Sequence, residues 1–90
     1  MVEFEWDGDN MGHLAHHGIT PDEVEELFGG RTLRMRGRTD APDRNWVLAR
    51  TAAGRYLALI YQAKGQDIVR PFTGREMRPH ERNLYDRQVR

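Results

Sequence analysis

Arg55-Tyr56-Leu57-Ala58-Leu59-Ile60-Tyr61-Gln62 is apolar on both of its alternating sets of side chains. A strand with one wet face alternates apolar and polar residues, so a run apolar on both sides is expected to be covered on both sides. This segment therefore reads as the central strand of a sheet. Short breaks flank it, Ala52-Ala53-Gly54 before and Ala63-Lys64-Gly65-Gln66 after, and breaks of that length suit hairpin turns. They join it to two further alternating runs, Arg44–Thr51 and Asp67–Phe72, and a fourth run, Arg31–Arg36, lies beyond the polar stretch Gly37 to Asp43. A mainly antiparallel sheet follows. Pro71 has no ladder donor, which predicts a place near a strand end or edge.

The first thirty residues read differently. Phe4 and Trp6 alternate with Glu3 and Glu5 as in a short strand, and Asp7-Gly8-Asp9 breaks the pattern. A helix is predicted from about Asn10 to His17, with Gly18 as its C-cap. Thr20-Pro21-Asp22-Glu23 is a capping box with proline in the first turn, so a second helix opens there. Val24, Leu27 and Phe28 form its inner stripe, and Gly29-Gly30 ends it. Pro79 can start a last helix running to near Arg90, with Leu84 facing inward and Tyr85 and Val89 one turn apart. The fold class expected is α+β, one domain over residues 1–90, in the order β-α-α-β-β-β-β-α. Ninety residues carry too little apolar material for two cores.

Composition narrows the chemistry. The chain has no cysteine and no serine, which excludes disulfide scaffolds, thiolate metal sites and serine or cysteine nucleophiles. No apolar run is long enough for a membrane span, and the acidic start lacks the basic region of a secretory signal, so a cytoplasmic protein without membrane contact is expected. Net charge is zero, yet residues 1–30 hold eight acids and no Lys or Arg, whereas residues 31–90 hold all fourteen basic residues against six acids. Thirteen of those fourteen are arginine. A guanidinium fork suits phosphate, although a coding bias toward arginine gives the same count.

The segment from Asp67 to Tyr85 concentrates arginines, carboxylates, a histidine and a tyrosine where a strand hands over to a helix. Metal-free RNA cleavage needs a base for the 2′-hydroxyl, cationic donors for charge on phosphorus, and an acid for the leaving 5′-oxygen. Glu81 or Glu76 could serve as base, Arg70, Arg75 and Arg82 as phosphate clamps, and His80 or Tyr85 as proton donor or stacking platform. The competing reading is structural: Arg70 shares a face with Ile68 and Phe72, and a carboxylate such as Glu76 or Glu81 would neutralise it. His13 and His17 have one-face spacing, but the zincin glutamate and a third ligand are missing, so neither a metal nor another cofactor is expected. His17 reads instead as a partner of the helix C-terminus.

At these residues the chain resembles the BrnT family of toxins. Phe4-Glu5-Trp6-Asp7 followed by His17-Gly18-Ile19 is similar to the family's opening. Val47-Leu48-Ala49-Arg50-Thr51 with Gly54-Arg55 and the Tyr56–Tyr61 strand is similar to its middle. Val69-Arg70-Pro71-Phe72-Thr73-Gly74-Arg75-Glu76-Met77, with Glu81-Arg82 and Tyr85, is similar to its close. The resemblance implies a RelE-like fold, ribonuclease activity that arrests bacterial growth, and neutralisation by a cognate antitoxin of the BrnA type. Carried over by position, it implies Arg70, Arg75, Glu81 and Tyr85 as catalytic residues, with Arg50, Arg55 and Arg82 on RNA phosphates. His16 stands where the family has lysine, and Pro71 and Gly74 replace ordinary strand residues. With the neutral total charge, these departures support an alternative, a non-catalytic protein-binding module with the toxin fold. No helix-turn-helix spacing is evident, so DNA is expected only through the antitoxin.

Overall fold

A computed structural model describes residues 2–36 and 44–89. The central run forms β4 (Tyr56–Lys64), and its hairpin partners are β3 (Arg44–Arg50) and β5 (Ile68–Glu76). With β1 (Glu3–Phe4) and β2 (Thr32–Arg36) they make one five-stranded sheet in the order β1-β5-β4-β3-β2. Every pairing is antiparallel except β1 with β5. The helices are α1 (Gly8–His16), α2 (Pro21–Gly29) and α3 (Pro79–Gln88). The fold is thus the expected α+β arrangement in the expected order. The proposed break at Gly37–Asp43 lies outside the described residues.

The sheet has two unlike faces. Leu57, Leu59 and Tyr61 of β4 point to one, where Val47, Ala49 and Val69 join Leu14 of α1, Ile19, and Val24 and Leu27 of α2 in the main core. The intervening residues point to the other face, where Leu48 and Ala58 meet Met77 and Tyr85 under α3. One ten-residue helix is about 15 Å long, whereas five strands at about 4.8 Å spacing are wider than that. The cluster under α3 reaches Leu33, Trp46 and Tyr56 on this face but not Ile60 or Phe72, so part of the face has no covering helix.

The helices begin where their sequences say. Thr20 caps α2, accepting from the Glu23 N–H at 3.2 Å, while the Glu23 carboxylate accepts from the Thr20 N–H at 3.1 Å. Asp7 and Asn10 make the same reciprocal box for α1. The first helix starts at Gly8, two residues earlier than predicted, because Asp7 and not Asp9 is the cap.

Strand β5 differs from expectation. It continues to Glu76 and runs between β1 and β4, but β1 pairs only with Ile68 and Val69, so Pro71 stands past the end of β1, at the local edge expected of it. The register pairs Tyr61 with Pro71 and Ile60 with Thr73, leaving Phe72 as the extra residue of a bulge. Proline is tolerated because β1 ends beside it. The buried Asn10 side chain bridges the gap, donating to Glu5 O at 2.8 Å and to Pro71 O at 2.9 Å. The bulge also changes side-chain parity. Arg70 and Arg75 are five residues apart and would alternate to opposite faces, yet Arg70 pairs across from Gln62 and Arg75 from Ala58, both on the α3 side.

Candidate functional site

The basic and acidic parts of the sequence end on opposite sides of the sheet. Helices α1 and α2 carry Asp9, Asp22, Glu23, Glu25 and Glu26 and no Lys or Arg. Arg44, Arg50, Arg70 and Arg75 register on the other face, with α3 adding Arg82 and Arg87.

On that basic face, a cleft of about 390 Å³ opens where β5 hands over to α3. Trp46, Leu48 and Leu84 supply its apolar wall, and Arg75, Arg78, His80 and Glu81 its polar one. Local chemistry fixes this wall. Arg78 is the extended N-cap and Pro79 the first helical residue, so Glu81 falls at the third position and accepts from the Arg78 N–H at 2.8 Å. The same carboxylate receives the Arg75 fork, Nη1 at 2.6 Å and Nη2 at 2.9 Å. Glu81 therefore both caps α3 and aims Arg75, whose guanidinium carbon lies 5.1 Å from the Trp46 ring centroid. The Arg75 hydrogen bonds hold the Glu81 carboxyl down at about 2, with the Arg78 N–H helping and burial opposing. Arg75 is raised in turn by the bond to Glu81.

Glu23 repeats the device: it caps α2 and takes Arg55 Nη1 at 2.7 Å, while that nitrogen also donates to Gly18 O. Burial pushes the Glu23 carboxyl up, and the Thr20 N–H and Arg55 together more than offset it.

The sequence-derived residues are distributed over four places. Arg75 and Glu81 come together in the cleft. Arg70 lies about 13 Å away along the sheet, four residues of β4 from Arg75, with Nη1 at 2.8 Å from Asp7 and 3.2 Å from Glu5. Its counter-ions are these two N-terminal acids, not Glu76 or Glu81, and it ties the start of α1 to the sheet. Asp7 is lowered first by the Arg70 hydrogen bond, and Glu5 first by that of Lys64 at 2.9 Å. Tyr85 is buried and lines no part of the cleft; its hydroxyl donates to Arg31 O at 2.8 Å. Arg50, Arg55 and Arg82 gather at the far end of β4. Arg50 and Arg82 lie 5.1 and 4.5 Å from the Tyr56 ring centroid, and Arg55 shares a second hollow, about 210 Å³, with Arg82 and Glu76.

Trp46 and Arg78 belong to the cleft and were not singled out by sequence. The available signal was the alternation of β3, which puts Trp46 beside Leu48 on the face that a single helix must cover. His13 and His16 are exposed on α1, and His17 is its C-cap, with its N–H donating to Leu14 O. Among the described residues no helix is long and apolar enough to cross a membrane. Comparison with protein-family models and with curated proteins returned no match.

Proposed function

We propose that the chain is a metal-independent endoribonuclease, the toxin half of a bacterial toxin–antitoxin pair of the BrnT type, acting in the cytoplasm and neutralised by a BrnA-like antitoxin. The observation that carries the reading is the cleft at the head of α3, where the Arg75–Glu81 pair, Arg78 and His80 stand beside the indole of Trp46. The sequence resemblance over the three motifs supplies the biological setting.

In the proposed reaction the 2′-oxygen attacks phosphorus, closing a 2′,3′-cyclic phosphate and releasing a 5′-hydroxyl. Arg75 and Arg78 offset the charge that grows on the non-bridging oxygens. His80 is the cleft residue suited to move a proton, either from the 2′-hydroxyl or to the 5′-oxygen. Glu81 is a positioning residue in this scheme. A carboxyl held near 2 is a poor proton acceptor at neutral pH, but it fixes the guanidinium fork. Arg70 and Tyr85 hold the framework from outside the cleft.

The test is incubation of purified protein with long RNA in chelator. Cleavage by wild type that is lost in Arg75→Ala and in His80→Ala, both still folded, supports the assignment; intact RNA with wild type removes it. A second reading, a protein-binding module without catalysis, is favoured by one observation: Arg55, Arg70 and Arg75 are all committed to carboxylates. It predicts intact RNA.

A further inference from the structure

All five arginine–aromatic contacts among the described residues fall on the basic side of the sheet. One of the aromatic stations, Phe72, stands outside the cluster that α3 covers, and another, Trp46, stands at that cluster's border. At the first, the Arg44 and Arg70 guanidinium carbons are 4.1 and 5.7 Å from the Phe72 ring centroid. At the second, Arg75 approaches Trp46. A hollow of about 220 Å³ adjoins the second station, lined by Trp46, Ile60, Thr73, Gly74 and Arg75 with His17 from the end of α1, and it opens beside the cleft because Trp46 and Arg75 border both. The Phe72 bulge creates this arrangement by bringing Phe72 and Thr73 successively onto one face.

From this juxtaposition we propose that the part of this face from Phe72 to Trp46 is a platform for single-stranded RNA, whose bases stack at the two rings as the strand runs into the cleft. The proposal rests on the RNA reading given above and names the form of its substrate. Three features support that occupant. Aromatic rings and guanidinium planes are the surfaces on which unpaired bases stack, without regard to sequence. The arginines beside the rings suit a phosphate backbone. Spacing disfavours a duplex: Trp46 pairs with Ile60 and Ile60 with Thr73, beside Phe72, so the two rings stand two strands apart, about 10 Å, well beyond the roughly 3.4 Å per-strand step of stacked bases. Neighbouring bases can reach both stations only if splayed apart, which a free strand permits.

The probe is a short 2′-O-methyl RNA oligonucleotide, which cannot be cut, added to Trp6→Phe protein so that Trp46 is the sole fluorescent indole. The expected result is quenching of Trp46 on binding, with the same sequence as a duplex binding at least tenfold more weakly. Phe72→Leu keeps the apolar bulk and removes the ring; it should weaken single-strand binding about 5- to 50-fold while the melting temperature stays within a few degrees. No quenching together with unchanged affinity in Phe72→Leu overturns the platform, even if long RNA is cleaved. Equal affinity for duplex and single strand overturns it too. Quenching and ring-dependent binding without cleavage of long RNA uphold the platform and remove only the nuclease assignment.

Discussion

Replacing Glu81 by glutamine separates its charge from its shape. Glutamine still accepts from the Arg78 N–H and still meets one arm of Arg75, so the helix start survives and only the ion pair is lost. Glu81 has its carboxyl lowered from an ordinary 4.5 to about 2 by the Arg75 hydrogen bonds, and at about 1.4 kcal/mol per pH unit that corresponds to roughly 3 kcal/mol of folding free energy. The Glu81 side chain is 12% exposed but that of Arg75 is 30% exposed, so solvent screens part of it and about 2 kcal/mol is expected. The folded value is depressed, so the contribution is complete above pH 4.5 and disappears as pH falls toward 2. Urea unfolding of wild type and Glu81→Gln, followed from pH 7 to pH 2, should show a gap of about 2 kcal/mol near neutrality that closes to under about 0.5 kcal/mol at pH 2. Glu5, Asp7 and Glu23 titrate in the same direction but are common to both proteins and cancel. A gap that does not change with pH, or one already absent at pH 7, would refute the view of Glu81 as an ionised partner of Arg75.

Asn10→Ala deletes the donor shared by Glu5 O and Pro71 O and should cost about 2–3 kcal/mol in urea unfolding; a loss under 0.5 kcal/mol, on the same scale, would mean the β1–β5 junction does not depend on it. Gly74→Ala places a methyl against Leu59 Cδ2 and 3.1 Å from Ala58 O, so destabilisation of about 1–3 kcal/mol is expected. In a Leu59→Ala background the same change should cost clearly less, and equal costs would argue that backbone and not packing excludes the side chain. Tyr85→Phe loses the bond to Arg31 O and about 1 kcal/mol of stability while RNA cleavage continues at the wild-type rate; loss of cleavage in a folded protein would return Tyr85 to the chemistry.

The fold was legible because its signals are local. The Thr20–Glu23 box, the apolar run of β4 and the short turns around it each specify an element by themselves. The site was legible only in part, since it depends on register. Nothing near Phe72 announces a bulge, yet that one residue decides whether Arg70 and Arg75 share a face. Proline at position 71 pointed toward an edge and stands at one, past the end of β1, but the Asn10 side chain that bonds its carbonyl there lies sixty-one residues away and was not foreseen. The partners of Arg70 were missed for the same reason: Glu5 and Asp7 reach it through the parallel β1–β5 pairing, and sequence proximity suggested Glu76 and Glu81 instead. Trp46 is a site residue because it stands at the border of the cluster that α3 covers, which is a fact of areas rather than of motif.

The parallel pairing of β1 with β5 has a consequence for the order of events during synthesis. Glu3 meets Ile68 and Phe4 meets Val69, so the first strand to leave the ribosome waits for the last. The acidic helices emerge early as well, but the strands that bury their apolar stripes follow them. Contacts between such distant parts of the chain close slowly, whereas β2, β3 and β4 pair with their sequence neighbours and do not depend on β5. The residues of the cleft follow, at the end of β5 and the start of α3, so the cleft can assemble only once β5 has joined the sheet.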